Sequence, residues 1–254
     1  MTGRRVLAAG RTNAPIPVDP DRGAEVRRRI SGLHVLTDAR EGRDALAVVS
    51  AAVAAGARIV QVRVKFCPDR ALYDFAARVV EVCRRRGATC LVNDRVDIAL
   101  AVGAAGTHLG AGDLPVAAAR SVAGPAHLLG GTARTAAAAT ELVAAGADYL
   151  GVGPAFSTAT KPGLPDPLGV DGVAAVAEAV AVPVIAIGGI TADRIPALLT
   201  AGAAGVAVVS AVSDAPDPGL ATRALLAALG GAPQSRPPRP EPGPAERGRR
   251  SGPR

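Results

Sequence analysis

The sequence predicts an α/β fold, a single (β/α)8 TIM barrel, on three observations. Short apolar runs alternate with alanine-rich stretches of helical spacing, eight of each. The runs are continuously apolar rather than alternating, as expected of parallel strands covered on both faces. Polar residues of the body collect just after these runs, where barrels carry their functional loops. A chain of 254 residues accommodates one such barrel with extensions at its ends.

The elements follow in order. Residues 1–32 are expected to form a partly disordered arm holding one short charged segment at 25–29, and the first strand follows at 33–37. Further strands are expected near 58–64, 89–92, 106–109, 127–130, 148–152, 183–187 and 204–209, each rich in Val, Ile or Leu. Helices are expected near 43–55, 68–86, 94–103, 115–122, 135–145, 169–180, 191–200 and 218–229, where Ala favours the α conformation. An Ala-Gly turn precedes several strands, at Gly56, Gly106, Gly146 and Gly202, as expected where glycine ends a helix. That echo fits repeated βα units and equally an alanine-rich composition. The barrel should occupy 33–231, followed by a disordered Pro/Arg-rich tail over 232–254 that has too little apolar surface to order itself.

Composition narrows the class. Aromatic residues are 2% and Trp is absent, so the core must pack small aliphatic side chains tightly. The net charge of +7 sits at the ends: 1–32 and 232–254 carry +4 each, which leaves 33–231 at −1. A nearly neutral body has no basic face for nucleic acid, which is not expected as a partner. No apolar run is long enough to span a bilayer and the N-terminal arginines lack an apolar signal core, so a cytoplasmic location is expected. Cys67, Cys83 and Cys90 lack metal-ligand spacing and are expected to be reduced.

The candidate site centres on Leu91–Pro115, which reads as strand, helix, strand. A right-handed crossover would make the strands parallel and bring Asn93, Asp94 and Asp113 to one rim. Two carboxylates without a Cys/His cluster suit Mg²⁺, which takes few protein ligands beside water and phosphate oxygens. Each Asp could instead cap the helix that follows it. Gln61, Arg63 and Lys65 alternate after strand two and face one way, as ion-pair partners of the aspartates or as contacts for a polyphosphate. Gly130-Gly131-Thr132 follows strand five, and a long loop, residues 153–167, carries Thr158, Thr160 and Lys161 after strand six. The latter has the length of a lid. Gly188-Gly189 after strand seven and Val209-Ser210 after strand eight can offer backbone N–H groups to a phosphate.

The segments HVLTD (34–38), VQVRVK (60–65), NDRVDIALAVGAAGTHLGAGDLP (93–115), GPAFSTATKPG (153–163), AIGGI (186–190) and GVAVVSA (205–211) resemble thiamine-phosphate synthase over about 33–229. The resemblance implies a Mg²⁺-dependent barrel enzyme, a transferase of thiamine biosynthesis. Such an enzyme joins hydroxymethylpyrimidine diphosphate to a thiazole phosphate, carboxylated or not, and releases diphosphate. It implies Asp94 and Asp113 as metal ligands, and Arg63, Lys65 and Lys161 as catalytic diphosphate contacts. Gln61, Asn93 and Thr132 would face the pyrimidine, and Thr158, Thr160, Gly189, Val209 and Ser210 the thiazole phosphate.

Three departures stand out: Val64 replaces an acidic residue, Ala111-Gly112 a Gln-Glu pair, and Thr132-Ala133-Arg134 a Ser-x-His. The first two look peripheral. Arg134 is expected to bring a new charge near the pyrimidine. A thiazole tautomerase-like barrel would not need the Arg63, Lys65, Asp94 and Asp113 set and would want an acid/base group where Arg134 stands. A non-catalytic ligand-sensing barrel with a nucleic-acid-binding tail is the other alternative. Small-molecule substrates are the expected partners, with room for a homo-oligomer.

Overall fold

A computed structural model of the chain describes residues 20–38, 44–160 and 163–230. The disorder expected for most of the arm and for the 232–254 tail, and the predicted contact Lys161, therefore lie outside the described residues. Eight strands close into a parallel barrel in chain order: β1 Gly32–Leu36, β2 Ile59–Val62, β3 Thr89–Asn93, β4 Gly106–Leu109, β5 Leu128–Ala133, β6 Tyr149–Val152, β7 Val184–Ile187 and β8 Gly205–Val208. Closure is made by β1 against β8, with Gly32 opposite Gly205. A Cβ on Gly205 would lie 2.1 Å from the Gly32 carbonyl oxygen, so the seam admits no side chain there.

The helices are α1 Pro20–Ile30, α2 Ala45–Ala54, α3 Asp69–Arg85, α4 Val96–Ala101, α5 Val116–Ala123, α6 Ala136–Ala144, α7 Gly169–Ala179, α8 Ile195–Thr200, α9 Ser210–Ser213 and α10 Pro218–Gly230. None of the described helices is long and apolar enough to cross a membrane. Local signals account for several starts: Asp44 and Thr135 accept from Ala47 N at 3.0 Å and Ala138 N at 3.2 Å, capping α2 and α6. On α3 the buried positions Leu72, Ala76, Val79 and Cys83 repeat at helical spacing and form one face.

Two elements differ from expectation. Residues 20–30, expected within a loose arm, form α1, whose Val26 and Ile30 are buried among Ile59, Leu91, Leu128 and Ile185 inside the barrel. One apolar pair four residues apart suffices because the barrel end covers it, while Arg27 and Arg28 remain exposed. The short helix α9 follows β8 and was not foreseen. In addition, β5 runs on to Ala133, so Gly130, Gly131 and Thr132 lie within the strand rather than after it.

At the N-terminal end of the barrel, buried Arg120 of α5 ties four segments together. Its guanidinium donates to the carbonyls of Gly124, His127 and Gly146 and to Asp148 Oδ2, at 2.6–2.9 Å. Asp148 also accepts from Leu129 N and, through Oδ1, from Arg22 of α1, both at 2.8 Å. Replacing Arg120 with Met would leave the part-buried Asp148 carboxylate with Arg22 as its remaining counter-charge and should lower unfolding free energy by about 3–5 kcal/mol. Denaturant titration checks this; an unchanged midpoint would show the network to be energetically idle.

Candidate active site

A cavity of about 880 Å³ opens at the C-terminal end of the barrel, a volume in the range of small-molecule sites. Its wall holds Gln61, Arg63, Lys65, Asn93, Asp94, Asp113, Thr132, Thr158, Thr160, Gly189, Val209 and Ser210. Every described member of the predicted set therefore reaches one space.

On the β2–β4 side, β2 ends at Val62, so only Gln61 lies on the strand and Arg63 and Lys65 follow it. Thr37 fixes that exit: its Oγ1 accepts from Arg63 N at 2.8 Å and donates to Arg63 O at 3.0 Å. Lys65 Nζ pairs with Asp94 Oδ2, and Asn93 Nδ2 donates to Asp94 Oδ1. Asp94 has a left-handed backbone, φ +67°, and its N–H donates to His108 O at 2.8 Å, a conformation Asp tolerates better than most residues.

Neither aspartate caps the next helix: the N-caps of α4 and α5 are Arg95 and Pro115, without side-chain cap bonds. Asp113 instead accepts from Gly110 N at 2.7 Å, closing the turn after β4. Burial pushes both carboxyls up. The two also titrate against each other: Asp94, with Lys65 and Arg63 beside it, ends below the usual range while Asp113 ends above it. Among the described residues no group of three or more His, Cys, Asp or Glu converges. Two hard oxygen donors beside a cavity fit Mg²⁺, which keeps waters and substrate oxygens, and not a zinc cage.

Deeper in the barrel lies a polar chain that the sequence reading missed. His108 sits between Tyr149 Oη, 3.1 Å from Nδ1, and Thr132 Oγ1, 3.0 Å from Nε2. Gln61 is hydrogen-bonded to Tyr149. His34 stacks obliquely on Tyr149, ring centroids 5.9 Å apart, and bonds Ile30 O at 2.6 Å. Burial pulls His34 and His108 down to about 4, so both are neutral near pH 7, and raises the Tyr149 phenol. The signal available in the sequence was polar residues inside apolar strands. What hid their use is that Gly130 makes the room: a Cβ there would lie 2.2 Å from Tyr149 and 2.5 Å from His108.

On the β6–β8 side, Thr158 Oγ1 donates to Thr160 Oγ1 at 3.1 Å, and Thr160 Oγ1 meets Ser210 Oγ at 3.2 Å. Gly189 has φ +63°, and a Cβ there would strike Ser157 O at 2.5 Å. Glycine thus lets the 153–168 loop lie directly on the β7 turn.

The departures resolve unevenly. Val64 packs with the aliphatic cluster outside the cavity, whereas Ala111 and Gly112 line it beside Asp113. Arg134 does not bring its charge into the cavity. Its guanidinium donates to Gly153 O at 3.0 Å and Asp166 O at 2.7 Å, holding both ends of the 153–168 loop.

Comparison with known proteins adds a second line of observation. The family model described as thiamine monophosphate synthase matches residues 33–212. A thiamine-phosphate synthase of Salinispora tropica is 60% identical over 200 residues, 78% of this chain and 96% of that protein. One from Chloroflexus aurantiacus is 46% identical over 197 residues, 77% of this chain and 91% of that protein. The solved thiamine phosphate pyrophosphorylase of Pyrococcus furiosus superposes with a TM-score of 0.74 at 36% identity, covering 80% of this chain and 97% of that one.

The buried histidines set a pH dependence of stability. Their folded pKa of about 4 lies below the ordinary 6.5, so the unfolded chain takes up protons first as pH falls. Stability is full above pH 6.5 and declines toward pH 4, by about 2 kcal/mol per histidine between pH 7.5 and 5. Denaturant midpoints at those two pH values check this: His34→Gln should lose less between them than the unmodified chain, and equal losses would refute the assignment.

Proposed function

The chain belongs to the thiamine monophosphate synthase family, and from that premise we propose that its cavity joins 4-amino-2-methyl-5-hydroxymethylpyrimidine diphosphate to a thiazole phosphate, forming thiamine phosphate and releasing diphosphate. The observation that carries the site assignment is the arrangement of charge. Arg63 and Lys65 meet the Asp94/Asp113 pair on one wall, and the Gly189 turn with the Thr158, Thr160 and Ser210 hydroxyls forms the other. Two anionic substrates therefore have separate walls, with the polar barrel interior between them.

The reaction breaks the bond from the pyrimidine methylene carbon to the diphosphate oxygen and forms a bond from that carbon to the thiazole nitrogen. The nitrogen already carries its lone pair, so no general base is needed to create the nucleophile. The demand is on the leaving group. Arg63 and Lys65, completed in this reading by Lys161, stabilise charge that grows on the departing diphosphate. The family uses Mg²⁺, which Asp94 and Asp113 would hold here and which would supply further positive charge to the diphosphate. Gln61 and Asn93 orient the aminopyrimidine, with Thr132 held by His108. The thiazole phosphate is bound through Gly189, Val209 and Ser210, with Thr158 and Thr160 beside it. Positioning and electrostatics supply the rate.

The Lys65–Asp94 pair, with Asp113 and Arg63 on the same wall, favours this reading over a tautomerase-like relative, which has no use for that set. Incubation with both substrates and Mg²⁺, followed by detection of thiamine phosphate, tests the reading; absence of product from the folded protein would overturn it. Asp94→Asn and Asp113→Asn should each reduce kcat by about a hundredfold or more, the scale of losing one electrostatic contact to the transition state. Near-unchanged turnover in both variants at limiting Mg²⁺ would sink the metal assignment.

A further inference from the structure

We propose that Arg194 binds the phosphate of the thiazole substrate directly and so sets the preference for a phosphorylated over an unphosphorylated thiazole. The inference rests on the assignment of the β7–β8 wall to that substrate and adds a side chain to a subsite so far described through backbone amides and hydroxyls.

Arg194 ends the 3₁₀ turn Ala192–Arg194 that follows β7. It lines the cavity together with Gly188, Gly189, Ser210 and Asp214. Two contacts fix its guanidinium: Nη1 donates to Gly189 O at 2.6 Å, and the group lies over the Phe156 ring, 4.5 Å from its centroid. One edge and one face are thereby used, and a guanidinium carries five N–H donors. A planar fork held this way is preorganised for a phosphate oxygen, since little rotamer freedom remains to be lost on binding.

Charge supports the same assignment. The other described cations of the cavity wall, Arg63 and Lys65, stand on the β2 side, and Lys65 is paired with Asp94. Among the described residues no carboxylate lies within ion-pair distance of Arg194.

The competing role is mechanical. Arg194 could merely clamp Phe156, and with it the 153–168 loop, onto the Gly189 turn. The two roles separate by ligand. Titration calorimetry on the full chain would use the thiazole phosphate and, in parallel, its dephosphorylated alcohol. Arg194→Met keeps an unbranched side chain against Phe156 but removes charge and donors. It should weaken the phosphate ester by about tenfold or more, the scale of a lost charged hydrogen bond, and leave affinity for the alcohol unchanged. Arg194→Lys should recover part of the lost ester affinity. Equal weakening of ester and alcohol, or no weakening of either in folded variants, would overturn the assignment. A variant that melts early is replaced by Arg194→Gln, to which the same comparison applies. Product formation by the unmodified chain reports separately on the overall reaction. If product forms but ester affinity ignores Arg194, only this assignment falls; if no product forms yet ester binding depends on Arg194, the reaction falls and this assignment stands.

Discussion

A barrel interior must be filled, and this chain has almost no large side chains with which to fill it: three Phe, two Tyr and no Trp. The rest of the structure follows from how that constraint is met. Tyr149 is the largest fully buried side chain, and it enters the centre from β6 because β5 offers Gly130 opposite it. Beneath it, Ile59, Leu91, Leu128 and Ile185 form the apolar layer that Val26 and Ile30 of α1 close from below. Above it the interior turns polar, since a buried phenol requires partners and finds them in His108 and Gln61. The floor of the cavity is thus the upper surface of the packing core.

That floor explains why the histidines stay neutral. They are desolvated and hydrogen-bonded to neutral groups, so a proton would add an uncompensated buried charge. Charge is confined instead to the rim, where Asp94, Asp113, Arg63 and Lys65 share solvent with the cavity mouth. A neutral interior beneath a charged rim suits chemistry in which an aromatic ring sits deep while phosphates remain at the opening.

The 153–168 loop shows how the two walls are joined. Its first residues pair with β7 through Ala155 N to Ile187 O at 2.7 Å and Phe156 N to Gly188 O at 3.0 Å, and its last fold back through Leu168 N to Pro154 O at 2.8 Å. Arg134 from β5 spans both ends, Arg194 stacks on Phe156, and Thr160 meets Ser210. The Arg134 departure is thereby intelligible: a long, flat donor at this position reaches two backbone carbonyls and acts as a staple, with its charge directed away from the cavity.

The sequence by itself determined the strand and helix alternation, because strands of a parallel barrel buried on both faces are continuously apolar and alanine-rich stretches between them favour the helix. It also determined which residues meet at the rim, since a closed parallel barrel brings every strand's C-terminal end to one face; Gln61, Arg63, Lys65, Asn93, Asp94 and Asp113 needed only the correct topology. Tertiary structure decided what local pattern cannot carry. Whether residues 20–30 are arm or helix depends on a barrel mouth more than a hundred residues of chain helps to build. Glycines that look like a turn became the middle of β5 because Tyr149 needed their missing side chains. His108, Arg134 and Arg194 make contacts with partners distant in sequence, because a contact is a property of two groups and the chain order names only one at a time.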